Sequence, residues 1–211
     1  MEIINHIAEV YAQKNTSELD DVLQEVAEYT INNHPHAHML SGKVQGKMLE
    51  FISCMIKPKS ILEVGTFTGF SALCLAKGLQ LNGILHTIEL REDDAVIAQK
   101  YFDKAIAKNI QLHIGDALQI ISTINEEWDL VFMDADKINY INYYELILPK
   151  VKAGGWVIAD NVLFHGQVLE EEIKGKNAKA IGAFNEHVAA DTRVEQVMLT
   201  VRDGITVIKK L

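Results

Sequence analysis

Three oxygen-bearing side chains draw the eye because of where they fall. Asp134 follows the apolar run Leu130–Met133, and Asp160 with Asn161 follows the run Trp156–Ala159. If the two runs are neighbouring strands, their ends share one rim, and two carboxylates and an amide oxygen meet there. Such a set is a hard, oxygen-only half-shell suited to Mg²⁺, with Mn²⁺ and Ca²⁺ as substitutes, and it leaves positions for water or substrate oxygens. A cation so placed lowers the pKa of a hydroxyl and holds two adjacent oxygens in line for reaction. Lys137, three residues beyond Asp134, stands where it could take the proton. Beside a cation its own pKa falls, which favours the neutral amine. Singly, Asp160-Asn161 reads as a turn and Lys137 as a solvated lysine; the combination points to chemistry.

A second constellation lies upstream. The run Ile61-Leu62-Glu63-Val64 opens into Gly65-Thr66-Phe67-Thr68-Gly69-Phe70-Ser71. Gly65 permits a tight turn, and Gly69 lets the following helix approach the strand. The spacing G-x-x-x-G is not the G-x-G-x-x-G that seats a pyrophosphate, nor has it the Lys and Ser/Thr of a phosphate-binding loop. Glu63, two places before the glycine, suits a cationic amino-acid ligand instead. The next apolar run, Ile84–Ile88, ends in Glu89, placed to accept both hydroxyls of a ribose. A third run, Ile110–Ile114, leads to Asp116, within reach of an adenine amino group. Either acid alone reads equally as a helix cap. Three such features on successive strand ends make a cofactor site.

These residues need elements to hold them. Residues 1–58 read as helices, including Glu18–Asn32 and one starting at Ser41 that carries Val44, Met48, Phe51, Ile52 and Met55 on one face. From residue 59, β-rich runs alternate with helical stretches at Ser71–Leu79, Asp93–Ala107, Ala117–Ile124 and Tyr140–Leu148. Continuous apolar strands alternating with helices predict an α/β domain with a mostly parallel sheet covered on both faces. At the end, Val194–Val201, the turn Arg202-Asp203-Gly204 and Ile205–Lys209 read as a hairpin, giving seven strands with the last reversed. Gly166–Gly182, polar and glycine-flanked, reads as a flexible loop beside the site.

With 211 residues, 48% of them hydrophobic, the chain is expected to form one domain with a sizeable core. A net charge of −9 disfavours broad nucleic-acid affinity. The start, Met1–His6, lacks a basic region followed by an apolar run, and no apolar stretch is long enough to span a bilayer, so neither secretion nor a membrane is expected. Cys54 and Cys74, in apolar helical contexts without ligand partners, read as reduced core residues of a cytoplasmic protein.

The stretches Glu63–Ser71, Met133–Tyr140 and Ala159–Leu163, together with Arg202–Thr206, resemble the cation-dependent O-methyltransferases, which include caffeoyl-CoA and catechol O-methyltransferases and small bacterial relatives. The likeness runs from about Ser41 to the C-terminus. It implies a Rossmann-like class I methyltransferase fold, S-adenosylmethionine as cofactor, a hydroxyl-bearing small molecule as acceptor and a homodimer. It implies further that Ser41, Gly65, Thr66 and Ser71 line the cofactor's amino-acid portion and Ala117 its adenine. By the same likeness Asp134 would touch both metal and cofactor, and Asp136 would face the substrate. Phe164-His165 stands where the plant members carry Trp-Asn, which sets His165 among the substrate contacts. Basic residues that grip coenzyme A in those enzymes have no counterpart in the acidic N-terminal segment, so a coenzyme A thioester is not the expected acceptor. The apolar N-terminal helices, with little expected role in the sheet core, offer the dimer interface.

Other features carry less. His34-Pro35-His36-Ala37-His38 invites a metal, but no nearby acid or Cys completes a set, and a loop or lid leading into the Ser41 helix accounts for it. Lys43, Lys47, Lys57 and Lys59, like Lys174, Lys176 and Lys179, read as solvated surface. Because some small bacterial relatives methylate hydroxyuridine in transfer RNA, that acceptor stays open. A nucleotide-binding oxidoreductase and a non-catalytic S-adenosylmethionine-binding protein remain as rivals; binding of S-adenosylhomocysteine (SAH) rather than NAD, and turnover, separate them from the enzyme.

Overall fold

The computed structural model describes residues 5–211. Of the start read above for a leader, residues 1–4 lie outside the described residues. Three helices come first: α1 (His6–Lys14), capped by the Asn5 side chain, α2 (Asp21–Asn33), capped by Asp20, and α3 (Gly42–Ile56). There follow β1 (Ser60–Val64), α4 (Phe70–Ala76), β2 (Ile84–Glu89), α5 (Glu92–Lys104), β3 (Ile110–Ile114), α6 (Ala117–Thr123), β4 (Trp128–Met133), α7 (Tyr140–Ile147), β5 (Val151–Asp160), α8 (Lys176–Ala189), β6 (Val194–Leu199) and β7 (Ile205–Lys210).

The seven strands form one sheet in the order β3-β2-β1-β4-β5-β7-β6. All pairs are parallel except those of β7, antiparallel to both β5 and β6. Every residue of β1 is buried, as a strand covered on both faces requires. Register then does the positioning. Val64 pairs with Ile88 and with Met133, and Met133 pairs with Ala159. The residues that come next, Gly65, Glu89, Asp134 and Asp160, therefore emerge along a single rim, the usual place for a ligand on an open α/β sheet.

One face of the sheet packs Ile61, Phe132 and Ile158 against Leu23, Val26, Leu49 and Phe70; the other packs Val64, Val131 and Met133 against Tyr144, Ile147 and Phe184. The first grouping corrects an expectation. Far from standing outside the core, α2 and α3 cover half of it, with Leu23, Val26 and Leu49 at most 1% exposed. In α1 no residue is buried.

Other readings change too. Residues 176–182 of the expected loop are the first half of α8, whose Ala178, Ile181, Phe184 and Val188 face the core at helical spacing. A polar start and Gly182 hid the pattern. Before α8, Phe164–Leu169 forms 3₁₀ turns. Cys54 is exposed while Cys74 is buried, because α3 turns Cys54 away from α4; both are free thiols. The histidine segment is not extended: Ala37–Met39 makes a 3₁₀ turn, and the rings of His34, His36 and His38 follow one another at 5.8 and 6.0 Å instead of converging. Lys43 and Lys47 are paired with Glu18 and Glu50, which dilutes the basic patch. Among the described residues no helix is long and apolar enough to cross a membrane.

Candidate active site

The loop after β1 is shaped by contacts that exclude a side chain. Gly65 has φ +100°, and a Cβ there would lie 2.1 Å from the Asp134 carbonyl oxygen. Glycine thus lets the loop press against the end of β4. At Gly69 (φ +88°) a Cβ would meet the Phe102 ring at 2.7 Å, so α4 sits close over α5. Phe67, between them, also has positive φ and donates its N–H to Glu89 Oε2 at 2.7 Å. Arg91 N–H donates to Glu89 Oε1 at 3.0 Å. Two backbone donors therefore orient the Glu89 carboxylate at the rim.

Beneath this loop Glu63 is fully buried. The Thr87 hydroxyl donates to its Oε2 at 2.5 Å, Ser71 reaches it from the first turn of α4, and Oε1 has no partner among the described residues. Burial pushes its pKa up to about 8, against the pull of the two hydroxyls. A buried carboxyl oxygen without a donor is costly, and a cationic amino group is the ligand chemistry that relieves it. Thr66 is buried, its hydroxyl 2.5 Å from that of Thr87, so it braces the loop from below. Ser41 precedes α3 without capping it through its side chain. Asp116 does cap α6, accepting from Leu118 N–H at 2.9 Å, so the bland reading holds for one of its oxygens; Oδ2 has only a 3.4 Å contact with Gln119. Ala117 is buried beside it.

Across the rim, Lys137 Nζ donates to Asp134 Oδ1 at 2.9 Å and to the Tyr140 hydroxyl at 2.6 Å. That hydroxyl lies 2.8 Å from the Asp160 carbonyl oxygen and so ties the lysine to the end of β5. Asp160 is buried; its Oδ1 accepts from Asn161 N–H at 2.8 Å and its Oδ2 from Gln45 Nε2 at 2.6 Å. Burial first, and the Asp134 carboxylate second, push the Asp160 pKa up to about 6. Burial also opposes the Lys137 ammonium, but Asp134 and Tyr140 outweigh it and hold its pKa above the ordinary lysine range. Sequence reasoning expects the amine only beside a bound cation; without that added charge, Asp134 and Tyr140 favour the ammonium.

A buried carboxylate whose pKa a neighbouring carboxylate raises is the environment a divalent cation stabilises. Among the described residues no three His, Cys, Asp or Glu side chains cluster for a metal. The third oxygen of the expected set would come from an amide, that of Asn161. Its positive φ of 58°, tolerable for Asn, turns the chain at the end of β5. The turn is stitched down: Val162 and Leu163 N–H bond to the Gly204 and Asp203 carbonyls, and Asn185 of α8 donates to the Val162 carbonyl at 2.8 Å. The donor set fits a hard cation.

Of the residues expected to face the acceptor, Asp136 is exposed, its oxygens taken by Asn139 Nδ2 at 3.0 Å and the Tyr143 hydroxyl at 2.5 Å. His165 has an exposed side chain, while its backbone N–H bonds to Asp203 Oδ1 at 2.5 Å. Phe164 and His165 both have positive φ, a strained turn of the kind that clusters at functional sites. Sequence reasoning missed Gln45, Thr87, Tyr140, Tyr143, Asn185 and Asp203 as site residues. Tyr140 had a signal, three residues after Lys137 and so on one helical face with it, and Asp203 lies in the Arg202–Thr206 stretch of the resemblance; the others had none beyond a polar residue in an apolar setting.

Residues 13–211 match the model of the O-methyltransferase family. A probable caffeoyl-CoA O-methyltransferase of Dictyostelium discoideum is 32% identical over 208 residues, which cover 95% of this chain and 90% of that protein. A catechol O-methyltransferase of Niastella koreensis is 34% identical over 160 residues, covering 74% of this chain and 72% of that protein. An SAH-bound crystal structure of a Podospora anserina methyltransferase aligns with a TM-score of 0.90 at 28% identity, across 97% of this chain and 94% of that one.

Proposed function

The chain belongs to the O-methyltransferase family, and from that premise we propose that it moves the methyl group of S-adenosylmethionine onto one hydroxyl of a catechol-like or other vicinal-oxygen small molecule, with a divalent cation at Asp134, Asp160 and Asn161. One observation carries the reading: the strand register brings Gly65, Glu89, Asp134 and Asp160 out along one rim, so a cofactor side and a cation side adjoin.

The cofactor supplies a methyl on a sulfonium, and the cation, Mg²⁺ foremost, supplies Lewis-acid activation of a hydroxyl. The chain's residues do the rest. Glu63 offers its unpartnered oxygen to the cofactor's ammonium, with Ser41, Thr66 and Ser71 around the amino-acid portion. Glu89, held by two backbone donors, accepts the ribose hydroxyls. Asp116 presents Oδ2 to the adenine amino group, beside Ala117. Asp136 and His165 border the acceptor, and Lys137 takes its proton. Incubation with radiolabelled S-adenosylmethionine, Mg²⁺ and catechol is expected to give a singly O-methylated product. Label that enters transfer RNA but no diol would replace the acceptor class, and no transfer to either substrate would overturn the reading.

We further propose a homodimer, in which a second copy covers the outer face of α1. Ile7, Val10 and Tyr11 there are at least 50% exposed, as are Phe51 and Met55 on α3. Apolar side chains exposed along one helical face, as Ile7, Val10 and Tyr11 are, mark an interface. Light scattering is expected to report a dimer at micromolar concentration, and Tyr11→Glu a shift toward monomer; a monomeric wild type would refute it. With both cysteines free, we place the enzyme in the reducing cytoplasm; recovery from another fraction of the source cell would contradict that.

A further inference from the structure

Behind the Asp160 carboxylate runs a polar chain that none of the roles above uses. Gln45, on α3, is 1% exposed. A buried amide is tolerated only with both ends satisfied, and here both are. Nε2 donates to Asp160 Oδ2 at 2.6 Å, and Oε1 accepts from Arg202 Nη1 at 2.8 Å. Arg202 Nη1 is anchored in turn on the carbonyl oxygens of Leu40 and Ser41, just ahead of α3.

The partners leave one arrangement. A guanidinium has only donors, so it must face the amide oxygen; that turns the amide nitrogen to Asp160, which as a carboxylate only accepts. Glutamine fits both neighbours at once. Glutamate would set acceptor against acceptor, and an apolar residue would satisfy neither. Asp160 receives one N–H on each oxygen, from Asn161 and from Gln45, so rotation of the carboxylate about its last bond is restrained. Its remaining lone pairs are thereby directed.

We propose that Gln45, clamped by Arg202, is a positioning residue that holds the Asp160 carboxylate in the orientation a divalent cation requires. The inference rests on the cation site proposed above. It also links three segments distant in sequence: the β6–β7 turn, the start of α3 next to Ser41, and the end of β5. Outer partners that orient metal ligands change affinity by about 10- to 100-fold when removed.

The test is Mn²⁺ binding to the full-length protein, read from the free-ion signal in electron paramagnetic resonance, beside calorimetry with SAH. Gln45→Met keeps the volume and removes the donor. It is expected to bind Mn²⁺ about 10- to 100-fold more weakly while SAH affinity, measured with EDTA present, stays as in the wild type. Gln45→Glu, which retains the Arg202 contact, serves if the first variant does not fold, and the same loss is expected. Arg202→Met acts through Gln45, so adding it to Gln45→Met should weaken Mn²⁺ binding no further. Wild-type Mn²⁺ affinity in folded Gln45→Met, when Asp160→Ala has lost it, would overturn this inference and leave the cation site standing. Equal losses of Mn²⁺ and SAH affinity would also overturn it, as a packing effect. A wild type that binds no Mn²⁺ would remove both.

Discussion

Chelation with EDTA is expected to abolish methyl transfer, and added Mg²⁺ or Mn²⁺ to restore it, because both ions accept oxygen ligands in octahedral geometry. The effect should be large. A neutral hydroxyl is a poor nucleophile, and Lewis-acid activation contributes several kcal/mol, which corresponds to roughly 10³-fold or more in rate. Asp160→Ala should behave like the chelated enzyme, losing kcat while still binding SAH, since the proposed cofactor residues Gly65, Glu63 and Glu89 lie on or just after other strands. The carboxylate pair adds a signature in stability. Asp160 has its pKa raised to about 6 by burial and by Asp134. Between the ordinary carboxylate range and that value the folded chain holds more protons than the unfolded one, so this group makes stability fall as pH rises through the window. Charge-removing Asp160→Asn, in EDTA, should therefore lack this fall, so its melting temperature should gain on that of wild type as pH rises through the window. Full activity on a diol after exhaustive chelation would sink the cation mechanism. A difference between the two melting temperatures that does not change with pH would refute the charge account.

How much of this was legible in the sequence follows from the range of the interactions. Apolar runs announce strands because every residue of a doubly covered strand is buried, and the residue after each run is where ligands meet the sheet. Gly65, Glu89, Asp134 and Asp160 were all readable on that rule alone, and Asp116 lies one residue further on. Register was not, yet register is what aligns them. Helix α8 escaped because its polar start and Gly182 masked four core residues. The position of α2 and α3 escaped for a different reason: amphipathic helices announce a buried face but not its partner. Gln45 and Asp160 are 115 positions apart, and their bond depends on three elements meeting. No local pattern carries such a contact. Asp116 shows the converse: a helix cap and a ligand carboxylate are one residue type at one position, and the structure shows the cap.

Lys137→Ala is expected to lower kcat by about 10²- to 10⁴-fold near neutral pH, the usual contribution of a positioned base, with little change in SAH affinity. Lys137 is 11% exposed and donates to both Asp134 and the Tyr140 hydroxyl, so its position is set from two sides. Two opposed influences fix its charge: burial favours the amine, and Asp134 favours the ammonium and prevails. A group held charged in this way is a base only once its proton leaves, so the wild-type rate should rise with pH. The variant should rise more steeply still, because hydroxide from solvent replaces the missing amine, and its defect should shrink in alkali. Lys137→Arg separates a base from a mere counter-charge. Arginine keeps the positive charge beside Asp134 but does not release a proton in this range. If the amine takes the acceptor's proton, Arg should be as poor as Ala. Near wild-type kcat in Lys137→Arg would show that the lysine serves only to balance Asp134, and the proton would then have to leave by another route, for which His165 is a candidate.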